Sequence, residues 1–344
     1  MSGLAMRGVA RRAAVAAGWL AAGLVAVVGL VAPSQAVAQA VPSPAAPPAA
    51  ACPPVARPPD GQELQAAAAA ARDRGLLWRL TRDGRSSYLY GTLHAGRADW
   101  VIPGPRVRAA LAQTSVLALE IDLTDPATLM KLSRAMALPP DAQPLPADLQ
   151  QRLQQQLVLA CLPEGALAGQ RPAAQLMSLS LLDARWVGLD PAFGQDAVLA
   201  GVAQARRQPI VALETVAEQM AALLPAQADA ERGLVRKALA QLERGLPRKV
   251  MARLADAWAA GRLSELAAYE SWCACVEDEE DRRWMRRLND ERNPALASRI
   301  DRLHRDGRTV FAAVGALHMT GALALPELMA RLGYQVERVS LPTP

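Results

Sequence analysis

Leu and Ala recur at three- and four-residue spacing over much of the chain, and this periodicity predicts helices over Ala147–Ala160, Ala173–Arg185, Val216–Arg244 and Pro247–Glu277. Asp125-Pro126 and Asn293-Pro294 each read as an N-cap followed by proline at the first helical position. The acidic run Glu277–Asp281, followed by Arg282, Arg283, Arg286 and Arg287, fits a solvated helix whose end charges complement its dipole. Five short apolar runs break this pattern and predict strands: Ser87–Tyr90, Val116–Leu119, Pro209–Leu213, Thr309–Val314 and Gln335–Val339, the last near a sheet edge. Strands separated by helices predict an α/β fold with a central β-sheet. A large helical middle, Thr124 to Glu291 apart from the Pro209 strand, is expected to cover the crevice and set access to it.

Four of the five strands lead into His or Glu: Gly91-Thr92-Leu93-His94, Glu120, Glu214, and Gly315-Ala316-Leu317-His318. In open α/β sheets the carboxyl ends of the strands line a common crevice, so these residues can converge despite their distance in sequence. Gly91 and Gly315 permit a tight exit turn or a close backbone approach. Each residue also has a plainer explanation. A strand-end histidine is often a hydrogen-bonded structural residue, and Glu120 or Glu214 can cap a helix or pair with one of many arginines. The third and last histidine, His304, lies between Arg302 and Arg305 and is expected at the surface.

Composition narrows the reading. The 344 residues are 51% hydrophobic and 21% charged, ordinary for a globular chain, but only 4% aromatic, so Ala, Leu and Val must fill the core. The net charge of +5 falls to +2 once Arg7, Arg11 and Arg12 are set aside, since residues 1–40 contain no acid. A nearly balanced chain without basic–aromatic clusters has no electrostatic case for nucleic acid. Those arginines precede an apolar run from Ala13 to Ala32 and small-x-small cleavage positions at Ala38-Gln39-Ala40 and Ser34-Gln35-Ala36. Residues 1–40 thus read as a secretory signal peptide, with an uncleaved membrane anchor as the alternative. Ala49-Ala50-Ala51-Cys52 is a poor lipobox. Residues 41–75 read as a Pro/Ala-rich tether and a first helix, with eight prolines between 41 and 60, and residues 76–344 as the folded domain. A periplasmic or secreted location permits disulfides, so Cys52, Cys161, Cys273 and Cys275 are read as one or two structural disulfides or buried thiols. Pairing of Cys273 with Cys275 across one residue is disfavoured.

The paired Gly-x-x-His motifs, with Glu120 closing the second strand, resemble the TraB/GumN family, bacterial relatives of the animal Tiki proteins. Leu76-Leu77-Trp78, Gly188-Leu189-Asp190, Leu213-Glu214-Thr215 with Gln219, Glu291-Arg292-Asn293 and Gly333-Tyr334 extend the resemblance over residues 76–341. Gly194-Gln195-Asp196 adds little to it. The resemblance implies an α/β architecture similar to the erythromycin-esterase and ChaN-like group. It also implies a metal-dependent protease activity favouring manganese or cobalt in the animal members, in which both histidines and the glutamate are essential.

On that reading His94, His318 and Glu120 hold a divalent metal (manganese, cobalt or zinc), with Glu120 a third ligand or the general base. Glu214 is a second carboxylate, and Arg292 and Asn293 polarise a carbonyl or hold a carboxylate. The substrate is then a peptide or another small exported molecule. HExxH, Gly-x-Ser-x-Gly and Walker-type signatures are absent from the sequence. The same crevice also suits a non-catalytic exported protein that sequesters a peptide, haem or metal, or a purely structural pair of histidines.

Overall fold

A computed structural model describes residues 52–341. The signal-like run, its cleavage positions and the tether through residue 51 lie outside the described residues. The chain begins with α1 (Gly61–Ala69), the hairpin β1 (Leu76–Arg82) and β2 (Arg85–Thr92), α2 (Pro105–Ala112) and β3 (Val116–Leu119). The helical middle follows: α3 (Pro126–Met136), α4 (Ala147–Leu159), α5 (Pro172–Leu182) and α6 (Gln195–Ala205). It is interrupted by β4 (Ile210–Ala212) and resumes with α7 (Val216–Leu223), α8 (Ala228–Glu243) and α9 (Leu246–Ala259). Two short helices, α10 (Leu263–Ala267) and α11 (Tyr269–Trp272), lead to α12 (Glu279–Leu288) and α13 (Asn293–Arg305). The chain closes with β5 (Val310–Gly315), α14 (Leu325–Arg331) and β6 (Gln335–Arg338).

All six strands form one sheet in the order β4-β3-β5-β2-β1-β6. The first four run parallel, while β1 lies antiparallel to both β2 and the edge strand β6. Helices cover both faces, so β3 and most of β5 read as continuous apolar runs, and every residue from Val310 to Val314 is fully buried. Away from the sheet, α4, α5 and α8 bury a second core through Leu149, Leu153, Leu179 and Leu239. Asp125 caps α3 through Ala127 and Thr128 N–H, with Pro126 at the first position as its sequence predicts.

Several sequence expectations are corrected. The strand β1 escapes the alternation test because Leu76, Leu77 and Trp78 are all buried; its signal is the turn Asp83-Gly84, with φ of 51° and 71°. Val216–Arg244 is two helices, because Pro225 has no N–H to continue α7. Pro247–Glu277 divides at Gly261, which adopts φ +64° after α9. Asn293 does not cap α13; Arg292 precedes the helix and Asn293 is its first residue. His304 is not a surface residue. It is completely buried on the sheet-facing side of α13, with Nδ1 2.9 Å from Ser87 Oγ and Nε2 3.2 Å from the Arg82 carbonyl. Cys52 pairs with Cys161, and Cys273 pairs with Cys275 because Ala274 between them takes a left-handed φ of 52° and brings their Cα atoms to 5.1 Å. Among the described residues no helix is long and apolar enough to cross a membrane.

Candidate active site at the carboxyl ends of the parallel strands

The four parallel strands deliver the four strand-end residues to one place. His94 leaves β2, Glu120 follows β3, Glu214 follows β4, and His318 sits in the 3-10 turn Ala316–Met319 after β5. The backbone fixes their register: Glu214 N–H donates to the Glu120 carbonyl at 2.8 Å, and Gly315 N–H donates to Glu120 Oε1 at 2.7 Å. The motif glycines act through close approach. A Cβ on Gly315 would lie 3.3 Å from Glu120 Oε1, 3.5 Å from the His318 ring and 3.9 Å from His94 Nε2. A Cβ on Gly91 would lie 3.1 Å from Ala316 Cα, where β2 packs against the turn that carries His318.

Each histidine is anchored through Nδ1. His318 Nδ1 is 2.6 Å from Asn293 Oδ1, and Asn293 Nδ2 donates to the Leu323 and His318 carbonyls at 2.8 and 3.3 Å. The amide orientation assigned by those two bonds makes Oδ1 the acceptor and Nδ1 the protonated nitrogen. Burial, reinforced by the neighbouring Arg292 charge and opposed by Glu120, lowers the His318 pKa to about 4, so at neutral pH its Nε2 carries a lone pair. His94 differs: its side chain is 60% exposed and its Nδ1 pairs with Asp196 Oδ2 at 2.8 Å. Desolvation opposes the charge on His94, but Asp196, with Glu120 behind it, prevails and raises its pKa to about 9.

Arg292 binds the two glutamates together. Its guanidinium donates to both oxygens of Glu214, one through Nε at 2.9 Å, and to Glu120 Oε2 at 2.5 Å, while Nη1 lies 3.3 Å from His318 Nε2. Gln219, on α7, donates to the same Glu120 oxygen at 3.0 Å. Burial pushes the Glu120 carboxyl up, but His318 when protonated and Arg292 at all times pull it down by more, so Glu120 is held well below the usual carboxylate range. With His318 neutral at pH 7, Arg292 and the His94 charge are the operative partners, helped by the Gly315 N–H. A carboxylate held ionised this firmly is a weak proton acceptor at neutral pH and is better suited to holding a cation.

The expected residues therefore assemble, with two amendments. Asn293 is fully buried and spends its amide on His318 and Leu323, so it positions His318 and is not open to a substrate. Among the described residues no three His, Cys, Asp or Glu side chains stand close enough together to hold a metal as placed. The physical reason is Arg292, whose guanidinium supplies the counter-charge between Glu120 and Glu214 and faces His318 Nε2. In kind the donors still fit a divalent cation. Two imidazoles are oriented through Nδ1, as metal-ligating histidines commonly are, and Glu120 Oε1 lies 3.8 Å from His318 Nε2; His318 is already neutral at pH 7, whereas a cation must displace the His94 Nε2 proton that Asp196 favours.

Asp196, which the sequence reading gave little weight, anchors His94. It sits in the first turn of α6, which docks on the exit of β2 through Gln195 N–H to the Leu93 carbonyl at 2.8 Å. Its other oxygen accepts from Thr92 Oγ1 at 2.8 Å, so one carboxylate ties the motif's Thr and His together. Its signals were the Gly194-Gln195-Asp196 match to the family and an acid at a helix start after a glycine. Asp190, by contrast, is structural: it caps a short turn and pairs with Arg185.

These features define an α/β protein whose parallel strands end in two anchored histidines and an arginine-bridged pair of glutamates. The chain belongs to the TraB/PrgY/gumN family, whose model matches residues 76–338. It is also similar to metalloprotease TIKI1 of Danio rerio, with 41% identity over 64 residues; that stretch covers 18% of this chain and 13% of the relative. No solved structure matches the chain.

Proposed function

We propose that the protein is an exported metal-dependent hydrolase acting on a peptide or a similarly small substrate. One observation carries the reading: two histidines from opposite ends of the domain are each oriented through Nδ1 beside a carboxylate that is held ionised. The partial likeness to a protein named a metalloprotease supports the same class. His94, His318 and Glu120 are the residues that would hold manganese, cobalt or zinc. Such an ion, when bound, supplies Lewis acidity and lowers the pKa of its water. Asp196 and Asn293 fix the imidazole rings, and Arg292 keeps Glu120 charged while hydrogen-bonding both Glu214 oxygens. All five Arg292 N–H groups are already placed, on Glu214, Glu120, the Leu288 carbonyl and toward His318 Nε2, so Arg292 organises the site and has no free fork for a substrate oxygen. The Cys52–Cys161 disulfide is compatible with the oxidising compartment that export implies.

Elemental analysis of untagged protein tests the reading, with wild type compared with His94→Ala, His318→Ala and Glu120→Gln. Near-stoichiometric metal in wild type, lost in either folded histidine variant, and peptide hydrolysis restored by that metal are expected. Wild type that neither retains nor takes up any of the three metals would overturn it. A second reading, a non-catalytic binding protein, draws on the engagement of Glu120 Oε2 by Arg292 and Gln219. Under that reading Glu120→Gln keeps its ligand; under the first it loses turnover.

A further inference from the structure

We infer that the cleft beside His318 is a binding subsite for one apolar side chain of an amide-bearing ligand; the peptide part of this inference rests on the hydrolase reading above. The cleft, of about 260 Å³, lies between α11, α12 and the 3-10 turn that carries His318. Its size is near the lower end of small-molecule pockets, enough for a side chain and its flanking amides rather than a large ligand.

Three observations point to that occupant. The floor is apolar: Leu266 is fully buried, Met285 is 8% exposed, and the half-buried Leu317 and Tyr269 complete it. Removing an aliphatic side chain from water onto such a floor is worth about 1.5–3 kcal/mol when burial is complete. The rim is polar: Thr320 Oγ1 and Asn289 Nδ2 donate to the Leu317 and Met285 carbonyls at 2.8 and 3.2 Å, which leaves Thr320 Oγ1 and Asn289 Oδ1 as acceptors and one Asn289 N–H as a donor. Glu270 and Asp290 stand against the single positive charge of Arg286, which disfavours an acidic side chain.

Position links the cleft to the chemistry. Leu317 and the nearby Thr320 flank His318 in sequence, so the cleft wall and the His318 ring belong to one turn. Asn289 directly follows Leu288, whose carbonyl accepts from Arg292 Nη1 at 2.9 Å. The segment that walls the cleft is therefore the segment that holds Arg292 over Glu120. A ligand whose side chain fills the cleft thus touches the same turn and the same helix end that hold His318 and Arg292.

The test is binding, so that it stands apart from turnover. Methionine methyl groups are labelled with carbon-13, and the Met285 signal is assigned by its loss in Met285→Leu. N-acetyl-leucine methylamide is titrated against N-acetyl-aspartate methylamide. A saturable shift of the Met285 signal by the leucine probe is expected, at least tenfold weaker with the aspartate probe. The same loss is expected in Leu317→Arg and in Ala268→Trp, which fills the cleft from its exposed rim and leaves the core untouched. No saturable shift, or equal shifts in wild type and in folded Ala268→Trp, would overturn the subsite. Leucine binding at Met285 in a protein that cleaves no peptide with any of the three metals would confirm the subsite and refute the peptidase reading.

Discussion

Replacing Arg292 with Met tests how the site is held together, because that single guanidinium serves two buried carboxylates. Glu120 and Glu214 are 7% and 6% exposed. Glu120 would keep the Gln219 amide and the Gly315 N–H, whereas both Glu214 side-chain oxygens have their hydrogen bonds from Arg292. Stranding one partner of a buried ion pair costs about 3–5 kcal/mol, and that is the loss expected of Arg292→Met at pH 7.5. Adding Glu214→Gln removes the stranded charge and should recover about half of the loss or more. The sign with pH also follows. In wild type the depressed Glu120 pKa contributes stability that is present above the ordinary 4.5 and fades as pH falls below it. Without Arg292 that contribution is gone and acid relieves the uncompensated charge, so the gap between variant and wild type narrows from pH 7.5 to 5. Urea unfolding followed by tryptophan fluorescence reads both effects. A loss below about 1 kcal/mol, or a double variant less stable than Arg292→Met, would refute the account.

Three further outcomes follow from the same geometry. Asp196→Asn should weaken metal binding or hydrolysis about 10–100-fold with little change in stability, read by metal titration and urea unfolding in parallel. Gly315→Ala should keep the fold but lose at least tenfold in metal affinity, because its Cβ would press on Glu120 Oε1 at 3.3 Å; calorimetric titration of the variant decides it. His304 is buried with a pKa lowered by desolvation, so the neutral ring stabilises the fold above its ordinary 6.5 and that stability is lost as pH falls. Wild-type unfolding midpoints should therefore drop between pH 7.5 and 5.5 by more than those of His304→Gln.

The strand ends were legible because parallel strands must be buried on both faces. Apolar runs such as Val116–Leu119 and Val310–Val314 are conspicuous against Arg-rich helices, and the first polar residue after each is where the strand leaves the core. That logic found His94, Glu120, Glu214 and His318. It failed on His304, whose arginine neighbours Arg302 and Arg305 point away from the face it occupies, since residues one or two apart lie on different sides of a helix. Asp196 was hidden for a related reason. Its role depends on α6 docking against the exit of β2, a contact 102 residues away in sequence that no local pattern records. The helix breaks were in principle readable at Pro225 and Gly261, but periodic Leu and Ala on either side masked them.

The sheet order has a consequence in time. β2 and β3 are close in sequence but do not pair; β5, almost the last strand to emerge, fills the gap between them and carries His318 on its exit. A chain emerging from its N-terminus, at a ribosome or through a translocation pore, thus has the first histidine and the first glutamate on strands that have no partner in common. The late arrival of β5 joins the two halves of the sheet and completes the site in one step. On the hydrolase reading, the site stays incomplete until β5 and the turn after it have been made.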